Sequence, residues 1–62
     1  MNFKVWFNSI PSPGSEYYDG YIDVFADDEE EAIDRAFHKL KGNFPERNRS
    51  SWKVEKIEYL GN

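Results

Sequence analysis

The densest cluster of reactive groups in this chain is a run of five consecutive carboxylates, Asp27-Asp28-Glu29-Glu30-Glu31, with Asp23 shortly before it and Asp34 shortly after. Carboxylates in such number suggest a metal site, acid–base catalysis, or an imitation of a phosphate row. A calcium loop alternates its ligands around a central glycine, whereas these acids are consecutive and begin a helix, so metal binding is not expected. His38 is the sole histidine and cysteine is absent, which leaves no ligand set for a transition metal. His38 is instead expected on the surface beside Asp34, one helical turn back. Ser9, Ser12, Ser15, Ser50 and Ser51 fall in predicted loops, and no spacing links them to the lone histidine as a triad would require. Pro13-Gly14 and Asp19-Gly20 read as turn or bulge signals rather than a phosphate-binding loop. No catalytic residue, metal or cofactor is therefore expected.

The third possibility is physical rather than catalytic. Acids at a helix start cap the free N–H groups and oppose the helix dipole, and this alone accounts for one or two of them. The remainder are in excess, and Glu30 and Asp34 repel one another across one turn. The surplus suggests a surface selected for negative charge. Lys39, Lys41, Arg47 and Arg49 all follow the helix midpoint, so the domain should be electrically asymmetric.

These groups are positioned by elements that the hydrophobic periods reveal. Phe3, Val5 and Phe7 alternate with Lys4, Trp6 and Asn8, which predicts a strand over 2–8. Prolines and glycine in 9–16 predict an irregular loop. Aromatic and β-branched residues predict a second strand over 17–26, with Gly20 a candidate bulge. Ala32, Ile33, Ala36, Phe37 and Leu40 then share one stripe of a helix over 28–41, capped by Asp27 or Asp28, with Glu30 or Glu31 closing a capping box. Gly42 is the expected left-handed terminator. A polar loop, 43–51, leads to a last strand over 51–60. There Trp52 and Val54 have one parity and Ile57 and Tyr59 the other, so a β-bulge near Glu55-Lys56 is needed to keep one buried face.

The order strand, strand, helix, strand predicts a single α+β domain over 1–62, a two-layer ββαβ arrangement. Its three-stranded antiparallel sheet has spatial order 2-1-3 and one helix packed on one face. Phe3, Val5, Phe7, Ile22, Val24, Val54 and Ile57 should meet the helix stripe. The opposite face then carries Lys4, Trp6, Tyr21, Asp23, Phe25 and Lys53, with Trp6, Tyr21 and Phe25 as an aromatic patch that calls for a partner, a second copy, or cover from the Ile10-Pro11 loop.

Composition limits the classes. Sixty-two residues form one small domain, in which a deep enclosed active site is not expected. Twelve acids against eight bases make the net charge −4, which disfavours direct nucleic-acid binding, because phosphate neutralisation supplies much of that affinity. The 18% aromatic content is too high for a disordered acidic tail. No apolar run approaches a membrane span and no leader pattern opens the chain, so a soluble, cytoplasmic protein is expected.

The segment from Ile22 through the acidic run to Ala36, followed by a terminal strand, resembles small strand-strand-helix-strand proteins of phages and mobile elements grouped as DpnD/PcfM-like. That resemblance implies the fold and a mobile-element origin, hence a host-cell cytoplasmic setting, and carries no catalytic residues over. In size, acidity and lack of a catalytic set the chain is also similar in type to phage-encoded anti-CRISPR inhibitors. The expected function is a non-enzymatic inhibitor of a host nucleic-acid-handling defence complex. It would occupy a basic DNA-binding surface of a protein partner through Asp23, Asp27, Asp28, Glu29, Glu30, Glu31 and Asp34, with Trp6, Tyr21 and Phe25 adding buried area. A homodimer joined through the open sheet face and a single-stranded nucleic-acid-binding module are the alternatives.

Overall fold

Alternating apolar residues make β1 (Asn2–Ser9) and β2 (Asp19–Phe25), and the 3.6-residue period makes α1 (Glu29–Asn43). A short 3-10 turn at Arg49–Ser51 leads into β3 (Trp52–Gly61). These elements are those of a computed structural model that describes residues 1–11, 13–14 and 16–62. Ser12 and Ser15, part of the loop expected over 9–16, lie outside the described residues. The sheet is antiparallel throughout with order β2-β1-β3, and α1 packs over β1 and β2. This is the expected two-layer α+β arrangement. No helix among the described residues is long and apolar enough to cross a membrane.

The parity conflict in the last strand is resolved by a bulge where it was expected. Trp6 lies opposite Lys56 but Phe7 lies opposite Val54, so Glu55 is the extra residue. Val54 and Ile57, of opposite parity, both end up half-buried against the core on the helix side. A second irregularity was not anticipated: Phe3 pairs with Tyr59 and Asn2 with Gly61, which leaves Leu60 extra. Gly20 sits in regular register opposite Phe7, so no bulge forms there.

The core has two parts. Phe3, Val5, Val24 and Ala26 meet Ala32 and Ala36, whose small side chains let the helix approach the sheet closely. Phe7 and Leu40 join Trp52, with Tyr18, Phe37 and Phe44 packed around them. Ile33, expected in the core, is only half-buried, whereas Trp52, not expected there, is buried to 6% exposure.

Both helix ends depart from expectation in detail. Asp28 is the cap and its carboxylate accepts the Glu31 N–H at 2.8 Å. The Glu31 carboxylate pairs with Arg35 at 2.9 Å instead of closing a capping box. At the other end the helix runs through Gly42, and Phe44, with φ −132°, donates its N–H to Leu40 O. No left-handed glycine terminates it. The Phe44 ring packs at 4.8 Å from Tyr18 and 5.2 Å from Trp52, so aromatic burial bends the chain away from the helix axis. Ser9, expected in a loop, is the buried end of β1, and its hydroxyl accepts the Tyr18 N–H at 2.8 Å.

Candidate interaction surface

Side chains of alternate parity rise from the face that α1 does not cover. Strand register arranges them in cross-strand rows: Asp23, Lys4 and Glu58; Tyr21, Trp6 and Lys56; Asp19, Asn8 and Lys53. The Trp6 and Tyr21 rings lie 5.0 Å apart. Lys4 Nζ stands 4.4 Å from the Tyr21 ring and 5.7 Å from that of Trp6, and Lys56 Nζ stands 4.8 Å from Trp6 on the β3 side. Trp6 is therefore half-buried among its own neighbours, with its Nε1–H covered and without a hydrogen-bond partner among the described residues. The aromatic patch expected on this face is thus divided. Tyr21 and Phe25 remain at 50% and 58% exposure, while Trp6 is held between lysines. The Ile10-Pro11 segment does not shield them, and Ile10 is itself exposed.

Phe25 stands at the end of the sheet next to the helix start. Here Asn2, Phe3, Asp23, Val24, Phe25 and Leu60 line a shallow depression of about 400 Å³. Leu60, placed there by its bulge, is exposed and forms the β3 wall. Nothing in the local pattern of the sequence marks it, because the bulge depends on pairing with β1.

The seven acidic side chains from Asp23 to Asp34 separate into two groups. Asp28 caps α1, Glu31 binds Arg35, and Asp34, one turn from the exposed His38 as expected, pairs with Arg49 at 2.9 Å and not with that histidine. Asp23, Asp27, Glu29 and Glu30 are exposed, and their carboxylates have no ion pair or hydrogen bond among the described residues. All four lie on or beside the segment joining β2 to α1, at the Phe25 end of the molecule. No three acidic or histidine side chains among the described residues converge to hold a metal ion.

The cations behave differently. Lys39 donates to Asp23 O at 2.9 Å and Arg35 to Phe25 O at 3.0 Å. Lys41 donates to Pro45 O and Arg47 O. Arg47 donates to Glu16 O and lies over Tyr18 and Trp52, at 5.1 and 5.2 Å from the ring centres. Arg49, besides binding Asp34, lies 4.6 Å from the Phe37 ring. With Lys4 and Lys56 over the open-face rings, Lys53 is the one cation of eight with no intramolecular engagement among the described residues. Beneath Arg47, the Tyr18 phenol donates to Glu16 at 2.7 Å. That hydrogen bond, reinforced by partial burial and the carboxylate's charge, raises the phenol above its ordinary value.

Comparison of the chain with models of protein families, with curated proteins and with solved structures finds no significant match.

Proposed function

We propose that this chain is a non-enzymatic binding protein directed at a basic protein surface, of the kind that otherwise holds nucleic acid, and that it acts there as a phage-type inhibitor. The observation that carries this reading is the unequal use of charge: seven of the eight cations are spent on carbonyls, rings and structural ion pairs, while Asp23, Asp27, Glu29 and Glu30 face solvent. Asp23 lines the depression walled by Phe25 and Leu60, the other three follow Phe25 closely in the chain, and an apolar centre with a polar rim is the usual anatomy of a protein interface. Electrostatic complementarity at the rim speeds association, while the desolvated ring supplies the residence time.

The test uses the tagged chain as bait in an extract of its source cell. The expected result is recovery of a protein with a basic nucleic-acid-binding surface, displaced by added DNA. Recovery should fall with Asp27→Asn/Glu29→Gln/Glu30→Gln and, independently of salt, with Phe25→Ala. Recovery indifferent to both variants and to DNA refutes the proposal.

A further inference from the structure

The two sheet edges are treated differently by the rest of the molecule. Met1 O and Ser9 N bond towards β2 and Ile10 N bonds towards the β3 side, so odd residues of β1 face β2 and even ones face β3. On β2, Asp23 and Phe25 then point their backbone groups outward, and Lys39 and Arg35 from α1 cover those two carbonyls. At these two positions the edge is guarded. On β3, Glu58 and Lys56 pair inward with Lys4 and Trp6, which turns the backbone N–H and C=O of Ile57 to the outside. No side chain among the described residues reaches them.

We infer that the β3 edge is the interface between two copies of this chain, paired antiparallel about a two-fold axis at Ile57. The charge pattern selects this register. Centred on Lys56, the pairing sets Lys56 against itself; centred on Glu58, it sets Glu58 against itself. Centred on Ile57, it places Lys56 opposite Glu58 of the second copy and Glu58 opposite Lys56 of the second copy. Both pairs occupy the narrow, non-hydrogen-bonded positions where cross-strand side chains come closest. At the axis the two Ile57 residues exchange both backbone hydrogen bonds. On the helix side, exposed Tyr59 stands diagonal to the half-buried Ile57 of the other copy and covers it. The bulges at Glu55 and Leu60 bound the regular stretch and limit pairing to a short segment, so association is of the weak class and continues no further than two copies. The outcome is a six-stranded sheet whose outer edges are the guarded β2 strands. The Lys56 and Glu58 pairs lie at the β3 margin of the open face, so the interface leaves Tyr21 and Phe25, on the β2 side, and the acidic end uncovered.

Sedimentation equilibrium over a wide range of concentration tests the inference. Wild type should show a monomer–dimer equilibrium. Lys56→Glu and Glu58→Lys, both exposed changes, should each weaken it by roughly ten-fold or more, because two attractive pairs become repulsive. The double variant Lys56→Glu/Glu58→Lys should recover wild-type association. An equimolar mixture of the two single variants should form a heterodimer, since each supplies the charge that the other needs. Circular dichroism of each variant confirms that it is folded. A monomer at every concentration overturns the inference, as does a dimer that ignores both charge reversals or one that is lost on Tyr21→Ala.

Discussion

Replacing Trp52 by alanine tests how the two faces of the sheet divide their labour. The Trp52 ring is buried, stands edge-on to Phe7 at 5.3 Å, and packs against Phe44 at 5.2 Å and Tyr18 at 6.4 Å. It thus joins the end of β1, the chain after α1 and the start of β3. Truncating a buried Trp to Ala costs about 3–5 kcal/mol, with the larger figure apt where several aromatic contacts are lost together. A 62-residue domain holds only about 3–9 kcal/mol in all. Trp52→Ala should therefore be unfolded or nearly so at 25 °C, with a midpoint lowered by at least ~12 °C if a transition persists. Trp52→Phe keeps a ring in the cluster and should lose about 1–2 kcal/mol. Phe25→Ala, on the open face, should lie within about 0.5 kcal/mol of wild type. Urea titration followed by far-ultraviolet circular dichroism measures all three, and in the two Trp52 variants the remaining Trp6 fluorescence is a second reporter. Equal losses for Trp52→Ala and Phe25→Ala would refute the assignment of one ring to the core and the other to an interface.

Asp28→Ala should cost about 1 kcal/mol through loss of the cap on Glu31 N–H, whereas Asp27→Ala, which removes no hydrogen bond, should cost well under half of that in the same urea titration. Trp6→Phe gives up some apolar area but removes a covered, unpartnered N–H whose desolvation costs about 1–3 kcal/mol, so thermal melting should find the variant as stable as wild type or more so. The Tyr18 phenol, raised in the folded state, contributes stability that is complete below the ordinary tyrosine value of about 10 and disappears as pH rises through the folded value. The phenolate absorbance lost in Tyr18→Phe should accordingly appear above that ordinary value, and Glu16→Gln should move it back down; no movement in Glu16→Gln would show that the hydrogen bond is not the cause.

Element types and their order are legible in the residues themselves, because each rests on interactions between near neighbours. The sheet order follows from that order, because a helical crossover sets β3 parallel to β2 and so leaves room for β1 between them. Phe3, Val5 and Phe7 repeat every second residue, and Ala32, Ala36 and Leu40 every fourth. The bulge at Glu55 is legible for the same reason, as a break of parity between Val54 and Ile57. What tertiary structure alone decided are the pairings between distant residues. Asp34 is neutralised by Arg49, fifteen positions on, and Lys39 and Arg35 reach back to carbonyls of β2, which is why some acids are structural and others open. Leu60 is brought to the Phe25 depression by a register shift that depends on β1, and Trp52 is buried because Phe44 and Tyr18 close over it from two separate loops. Periodicity records which side of an element is apolar, but the identity of the group that meets it is set by packing across the whole chain.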